Sequence, residues 1–409
     1  LDGGDGNDLI QGGFGNDSLF GGNGNDTLSD NHGSNLLDGG AGDDTLSAQS
    51  LSGQHTLLGG TGSDRLNSTG LAVHLDGGDQ DDYLEAIGYL YEGGNNSYVL
   101  GGNATLVGGS GNDQLNVGYY SSASLDGGEG NDNLYAYSTR SATLQGGAGE
   151  DVLRVYVDGY SSQRTDGDQF IAKDFVLDGG DDNDSLTVHS YSSTSSGKIT
   201  LTLLGGAGND NLNGTSAADT VYGGTENDTI WGENGNDLLF GGIDEDSLEG
   251  GVGNDTLVGM SGNDTYTFVE GEDGFDVIIL SPLAAGAGLN VVAANHVFHF
   301  TRAWNPAKEA QATDRAYRIG QEKDVIVYCP TIVDTADSLY STFEQRLDQL
   351  LKEKAALASS AIDGDDLTQM LNGSAGDVGF TEFMAFGGPT TQTAPRILNI
   401  ADIDQLDGN

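Results

Sequence analysis

A nine-residue unit recurs in fixed register through much of this chain. Residues 3–29 read GGDGNDLIQ, GGFGNDSLF and GGNGNDTLS, and the unit returns without gaps over residues 205–267. Such a unit cannot bury its single apolar residue alone, so repetition constrains the fold more strongly than local propensity does. The sequence therefore predicts a solenoid in which short strands alternate with turns.

Each position of the unit has a physical role. Glycines at positions one, two and four permit positive φ and let the carbonyls of the turn converge. The aspartate at position six adds a carboxylate, so two facing turns can supply the six to eight oxygens that calcium takes. The apolar residue at position eight is the one expected to point into the core: Ile10, Leu19, Leu28, Leu46, Leu66, Leu84, Leu115, Leu134, Leu153, Leu186, Leu212, Ile230, Leu239, Leu248 and Leu257.

The spacing of the aspartates predicts which turns share a metal ion. If one coil takes two units, turns 18 residues apart stack, so that Asp8 pairs with Asp26 and Asp26 with Asp44. Over residues 48–204 the units are sparser and strand-like fillers separate them, which predicts calcium-binding turns on one edge only. The predicted ligands are Asp8, Asp17, Asp26, Asp44, Asp64, Asp82, Asp113, Asp132, Asp151, Asp184, Asp210, Asp219, Asp228, Asp237, Asp246, Asp255 and Asp264.

The pattern GGxGxDxUx resembles the repeats-in-toxin (RTX) calcium-binding nonapeptide family. The resemblance implies an all-β, parallel β-roll or β-helix solenoid that folds on binding calcium and belongs to a secreted bacterial protein of toxin or adhesin type. A tract this rich in Gly, Asp, Asn and Ser could also be disordered when metal is absent. Calcium-dependent folding accommodates both states.

Charge supports a cationic partner. The formal net charge is −48, and only six of the 15 Lys and Arg residues precede position 276. Such a surface repels nucleic acid and anionic lipid, so calcium ions are the expected partners of the repeat region. No run of 18 apolar residues predicts a membrane span. The chain begins inside a repeat at Leu1, from which we expect a fragment of a longer protein.

The C-terminal third has a different composition. All five prolines follow Asp276, and the segments VIIL, HVFHF and DVIVY read as strands of an α/β domain. Pro306 and Gly320 delimit a predicted helix, and a second helix begins near Thr342. We predict repeats over residues 1–275, an α/β segment over 276–372 and a flexible tail over 373–409, with the junction between Gly271 and Ser281.

The strings SPLAAGAGLN and QATDRAYRIGQ resemble the second RecA-like lobe of Swi/Snf-type helicase-like ATPases. By that resemblance Gly288, Gln311, Arg315 and Arg318 would serve the nucleotide site, and only helicase motifs V and VI are present. ATP and Mg²⁺ would bind only if a first lobe completed the site, because phosphoryl transfer needs a phosphate-binding loop and a magnesium carboxylate. No GxxxxGK[ST] string occurs in the sequence, so we predict no ATPase activity from this chain alone.

Two functions therefore remain open: a calcium-binding repeat module, and a fragment of an ATP-dependent DNA translocase. They imply different locations, extracellular for the repeats and cytoplasmic for the helicase-like segment. Tyrosines cluster in segments such as YLYEGG and GYYSS, which suits either exposed strands or a glycan-binding surface of an adhesin with a cell-surface target.

Overall fold

The computed structural model describes residues 1–92, 97–157, 173–190, 199–262 and 264–267, and the backbone of 277–279, 296–298, 326–328 and 396–398. The chain divides into two compact units, Leu1–Ile279 and Leu280–Asn409. The first is a parallel β-solenoid of about 12 turns, and its described residues contain no helix. Nor do the described residues include a helix with the length and apolarity needed to cross a membrane.

Strands of the N-terminal half of the solenoid are β1 (Asp2–Asp5), β2 (Leu9–Gln11), β3 (Ser18–Asn23), β4 (Thr27–Asp30), β5 (Leu36–Ala41), β6 (Thr45–Thr61), β7 (Arg65–Asp79), β8 (Tyr83–Ile87), β9 (Tyr89–Glu92), β10 (Ser97–Ser110), β11 (Gln114–Gly118), β12 (Tyr120–Glu129), β13 (Asn133–Tyr137) and β14 (Ser141–Ala148).

Those of the C-terminal half are β15 (Val152–Val157), β16 (Lys173–Asp181), β17 (Ser185–Ser190), β18 (Ile199–Ala207), β19 (Asn211–Asn213), β20 (Asp219–Thr225), β21 (Thr229–Trp231), β22 (Asn234–Gly235), β23 (Leu238–Ile243), β24 (Ser247–Glu249), β25 (Val252–Gly253), β26 (Thr256–Ser261), β27 (Thr265–Thr267) and β28 (Val277–Ile279).

The strands form two parallel stacks in which each coil pairs with the next. One stack runs from β2 through β4, β6, β7 and β8 and on to β27, and the other from β1 through β3, β5, β6, β7 and β10 to β28. The long strands β6 and β7 take part in both stacks. Parallel pairing without slip places equivalent positions of successive repeats directly above one another.

Leucines fill the interior in two columns, one from each stack. Leu46 and Leu134 represent the position-eight column, and Leu57 and Leu144 the column contributed by the fillers, all with no exposed surface. The expectation of one inward residue per strand holds for the dense repeats. It is too narrow for the middle coils, where longer strands also bury residues such as Ala136, because a strand sends every second side chain inward.

An antiparallel strand pair is inserted between Asp82 and Asp113, while the two parallel stacks continue on either side of it. There β9 pairs with the first residues of β10, from Tyr89↔Leu100 to Ser97↔Glu92. The extra residues of this gap therefore form a hairpin. In the other long gap, between Asp151 and Asp184, the segment VDGYSSQRTDGDQF, which we expect to bulge outwards, lies almost entirely outside the described residues.

The second unit contains a three-stranded parallel sheet formed by β29 (His296–Phe298), β30 (Ile326–Tyr328) and β31 (Arg396–Leu398). The predicted strands HVFHF and DVIVY coincide with β29 and β30. VIIL contains the predicted strand, β28, which pairs with β26, and Arg396–Leu398, in the segment predicted as a tail, forms a paired strand. The predicted helices, and Gly288, Gln311, Arg315 and Arg318, lie outside the described residues.

Candidate metal centre

The aspartates at position six form a continuous column on one edge of the solenoid, here called the first ladder. In each link, Oδ1 of an aspartate accepts the backbone amide of the aspartate one coil earlier. Asp44 accepts from Asp26 at 2.6 Å, and Asp132 accepts from Asp113 at 2.7 Å. The first ladder comprises Asp8, Asp26, Asp44, Asp64, Asp82, Asp113, Asp132, Asp151, Asp184, Asp210, Asp228, Asp246 and Asp264.

The same hydrogen bond persists where the chain between two turns is long. Asp82 and Asp113 are 31 residues apart, and Asp151 and Asp184 are 33 apart, yet both pairs are joined at 2.7–2.8 Å. The extra residues between these turns therefore do not change the register of the ladder.

The other carboxylate oxygen of each ladder residue has no hydrogen-bond partner among the described residues. These Oδ2 atoms are buried, although an aspartate in water is charged at neutral pH. Asp132, for example, has no exposed surface. An isolated carboxylate oxygen is costly to bury unless a proton or a cation faces it. The atoms concerned are Oδ2 of the first-ladder residues Asp8, Asp26, Asp44, Asp64, Asp82, Asp113, Asp132, Asp151, Asp184, Asp210, Asp228, Asp246 and Asp264 and, outside that ladder, Oδ2 of Asp17, Asp30 and Asp237.

The glycine at position one leaves the space that these oxygens face. A methyl group built on Gly3 would lie 2.6 Å from Oδ2 of Asp8 and 2.7 Å from the carbonyl oxygen of Gly21, in the next coil. Gly127 repeats the arrangement with Asp132 and with the carbonyl of Gly146 at 2.5 Å. Carboxylate and carbonyl oxygens thus converge on a gap that any Cβ would fill.

The role of the position-one glycine differs from the one predicted. Positive φ occurs at positions two and four, as in Gly4 (φ 95°) and Gly6 (φ 119°), whereas Gly3 does not adopt it. Position one is glycine because there is no room for a side chain. Position four tolerates other residues in the same conformation, including Gln80 (φ 76°) and Asp182 (φ 74°).

A column at position five flanks the first ladder and runs in the opposite direction. Oδ1 of Asn112 accepts the backbone amide of Asn131 at 2.9 Å, and Oδ1 of Asn131 accepts that of Glu150 at 3.1 Å. Here the side chain of the earlier coil accepts from the later coil. The two opposed columns fix neighbouring turns to one another, a role for the GND motif that sequence reasoning missed.

Burial and crowding raise the pKa of most ladder carboxyls. The pKa of Asp64 rises to about 7 and that of Asp82 to about 8, chiefly through burial and further through neighbouring carboxylates, while the backbone amide bound to Oδ1 opposes the rise. The pKa of Asp184 also rises to about 8 for the same reasons. Without metal, carboxyls such as those of Asp64, Asp82 and Asp184 therefore keep their protons into the neutral pH range.

A second ladder lies on the opposite edge but is interrupted. At the C-terminal end, Asp219 N donates to Asp237 Oδ1 and Asp237 N donates to Asp255 Oδ1, each at 2.8 Å. At the N-terminal end, Asp17 N donates to Oδ1 of Asn35 at 3.0 Å. In the coils between these two ends, the equivalent position holds a buried residue that is not aspartate. These residues are His55, Val73, Ala104, Ala123, Ala142, Phe175 and Leu201.

Asp219 differs from the other predicted ligands. Its Oδ2 accepts the amide of Thr215 at 2.5 Å and the Thr215 hydroxyl at 2.9 Å, and that hydroxyl also lies 3.1 Å from Oδ1. Burial raises the pKa of Asp219 to about 6, and the bonds to Thr215 oppose the rise. This carboxylate already has partners, so a role in metal binding is less supported by geometry than at the other positions.

The donor set fits calcium. No three His, Cys, Asp or Glu side chains converge within the part of the chain that the structure describes, so backbone carbonyls would have to complete each site. Calcium accepts mixed carboxylate and carbonyl oxygens in irregular geometry, whereas zinc favours clusters of nitrogen and sulfur ligands.

Family models agree with this geometry. The model described as RTX calcium-binding nonapeptide repeat (4 copies) matches residues 1–28, 20–50, 56–86, 92–118, 123–138, 204–239, 213–248, 231–266 and 240–278. The repeat region belongs to the RTX calcium-binding family. A second model, the helicase conserved C-terminal domain, matches residues 266–320 and so begins within the last RTX repeats.

Curated relatives are Swi/Snf-type helicases and related proteins. The chain is 56% identical over 107 residues to the Zorya protein ZorD of Escherichia coli O139:H28, which covers 25% of this chain and 10% of that protein. It is 46% identical over 92 residues to the putative ATP-dependent helicase/translocase YwqA of Bacillus subtilis, covering 22% of this chain and 9% of YwqA. Transcription termination factor 2 of Drosophila melanogaster is 42% identical over 95 residues, with 23% and 8% covered. The chain spans about a tenth of the length of these relatives.

Proposed function

We propose that the RTX region is a calcium-dependent folding module of a secreted bacterial protein of toxin or adhesin type. The observation that carries this proposal is the column of buried Oδ2 atoms, each facing a glycine-lined gap with no hydrogen-bond partner among the described residues. Cations between successive coils would satisfy these oxygens where they are ionised.

Electrostatics gives the direction of the effect. Neighbouring coils are about 4.8 Å apart, and two carboxylates at about 5 Å repel by roughly 3 kcal/mol at an effective dielectric near 20. A calcium ion between them turns the repulsion into attraction. Each site held at ten times its dissociation constant adds roughly 1.4 kcal/mol by mass action, so many weak sites together stabilise a thin core.

Location follows from the affinity expected of such sites. Extracellular calcium modules bind at about 0.1–1 mM, a concentration found outside cells. A module that stays unfolded until export and orders on reaching calcium suits a secreted protein. A glycan or cell surface is the partner class that we propose for an adhesin of this type.

The test is a calcium titration of the purified chain followed by far-ultraviolet circular dichroism and calorimetry, with Mg²⁺ as the matched control ion. We expect β-structure and binding heat to appear together at millimolar calcium and not with Mg²⁺, which dehydrates reluctantly and needs stricter geometry. A solenoid that is compact and fully ordered in excess chelator would contradict the proposal.

For the helicase-like segment we propose that it has no ATPase activity in this chain. The sequence lacks a phosphate-binding loop, and phosphoryl transfer depends on one together with magnesium. The alternative is a fragment of an ATP-dependent DNA translocase, which is favoured by the helicase family match and by the names of the relatives. DNA-stimulated ATP hydrolysis by the purified chain would support that alternative, and its absence would support inactivity.

A further inference from the structure

The N-terminal end of the second ladder contains an acidic residue that the repeat pattern does not predict. Residues 30–38, DNHGSNLLD, occupy the register of a full repeat, with Asp30 at position one in place of glycine and Asn35 at position six in place of aspartate. The carboxylate of this turn therefore stands at position one, and an uncharged amide stands at position six.

Asn35 is already committed to other contacts. Its Oδ1 accepts the backbone amide of Asp17 at 3.0 Å, as the aspartate of a regular repeat would, and its amide group donates to the carbonyl of His32 at 2.8 Å. Asn35 thus preserves the ladder hydrogen bond but contributes no negative oxygen to the gap between the two turns.

Asp30 points its carboxylate back towards the preceding coil. Its Oδ1 accepts the amide of His32 at 2.9 Å, while Oδ2 reaches the space beside Gly12, where a built methyl group would collide with it. The same methyl group would lie 3.0 Å from Cβ of Asp17. The side chains of Asp30 and Asp17, from successive turns, therefore converge on the gap left by Gly12, with Oδ2 of Asp30 inside it.

Neither converging oxygen is satisfied. Asp30 is only 2% exposed, and Oδ2 of Asp30 and Oδ2 of Asp17 are both buried without a hydrogen-bond partner among the described residues. Two buried carboxylate oxygens on neighbouring turns are unfavourable unless protons or a cation face them. Burial in this position is the observation that separates Asp30 from the exposed acidic residues on the strand faces.

We propose that Asp17 and Asp30 bind a calcium ion between the turns Gly12–Asp17 and Asp30–Asn35, with Asp30 supplying the carboxylate that position six lacks. This inference rests on the proposed calcium function and deepens it, because it assigns a ligand outside the GGxGxD pattern. It also extends the second ladder to a turn that would otherwise have lost its metal.

The experiment counts ions bound to the full chain by native mass spectrometry in a calcium series. Asp30→Asn keeps the side-chain shape and removes the charge, so it should bind one calcium fewer than the wild type. Asp17→Asn should lose the same ion, and the double variant should also lose one ion rather than two. Asp174→Asn, an exposed carboxylate on β16, is the matched control and should keep the wild-type number.

A rescue variant makes the result independent of stability. Asp30→Gly combined with Asn35→Asp restores the regular repeat and should return the wild-type count. If Asp30→Asn keeps every ion at wild-type affinity, the Asp30 site is wrong while the calcium function stands. If the wild type binds no calcium, the proposed function itself is wrong. Should Asp30→Asn fail to fold in saturating calcium, Asp17→Asn decides the matter, because a folded Asp17→Asn variant that keeps every ion would overturn the proposal.

Discussion

Oδ1 of Asp132 accepts the backbone amide of Asp113 at 2.7 Å, and Oδ1 of Asp151 accepts that of Asp132 at the same distance. One carboxylate oxygen thus sets the register between coils, while the other stays buried without a partner among the described residues. Because the two oxygens have different roles, a substitution that removes the charge of Oδ2 but keeps an acceptor at Oδ1 should affect metal binding and not register.

Asp132→Asn should separate register from metal binding. The amide oxygen of asparagine can still accept the hydrogen bond from Asp113, but the negative Oδ2 is lost. We expect the chain to fold at a higher calcium concentration and to lose about 1.4 kcal/mol for each site that no longer fills at ten times its dissociation constant. Calcium titrations followed by circular dichroism measure the shift, with Asp174→Asn as the control; equal midpoints for the two variants would contradict the prediction.

Gly21→Ala should impair one calcium site, because a Cβ there would collide with Oδ2 of Asp26 and lie 2.5 Å from the carbonyl of Gly39. Gly4→Ala is the control, since its φ of 95° is strained for alanine but no atom lies within 4 Å of the added methyl. We expect Gly4→Ala to cost roughly 1–2 kcal/mol through strain without changing the number of bound ions. Native mass spectrometry should show one ion fewer for Gly21→Ala only, and an unchanged count would argue against the glycine-lined gap as the site.

Thr215→Val should destabilise the solenoid at limiting as well as at saturating calcium. The hydroxyl of Thr215 bonds to the buried carboxylate of Asp219, so its removal leaves that group less satisfied, at a cost of about 1–3 kcal/mol. Thermal unfolding at saturating and at limiting calcium measures the two losses. A loss that appears only at saturating calcium would instead indicate that Asp219 binds metal.

Stability of the metal-free solenoid should fall as the pH rises from about 4 to about 8. The pKa values of Asp64 (about 7), Asp82 (about 8) and Asp237 (about 8) in the folded chain lie above the value near 3.9 of an unfolded aspartate. Below the unfolded value both states hold the protons and the contribution is complete. Between the two values only the folded state keeps them, so the contribution is lost as the pH rises through the folded pKa.

Unfolding in metal-stripped buffer across this range measures the effect, and saturating calcium provides the control. Calcium needs deprotonated carboxylates, so the calcium-bound form should become more stable over the same interval. Metal-free stability that increases from pH 5 to pH 8 would show that the ladder carboxyls are not buried as the structure has them.

The repeats alone predict the solenoid and the first ladder, because a strict 18-residue period leaves one register in which Asp8, Asp26 and Asp44 align. The pairing across the longer gaps, such as Asp151 with Asp184, could not be predicted from the period. The solenoid was predicted correctly because it depends on periodicity rather than on individual contacts, whereas the role of the aspartates as calcium ligands stays a prediction.

The nine-residue pattern does not predict backbone angles or hydrogen bonds at individual positions. The absence of positive φ at Gly3 and the bonds from Thr215 to Asp219 depend on which atoms face each other across a turn. Asp30 could have been found by aligning DNHGSNLLD with the nine-residue repeat, which places an acid at position one and an amide at position six. VIIL was ambiguous because a fully apolar strand suits either unit, and its pairing with β26 decided the matter.

The apolar column from Val73 to Leu201 gives the central coils a flank with no charge to neutralise. We therefore expect chelation to act unevenly along the molecule: both ends lose attraction on two flanks, and the centre on one. On loss of metal the coils would then unfold progressively from both ends towards the centre. The central apolar column would unfold last and would give the chain a place to begin refolding when calcium returns.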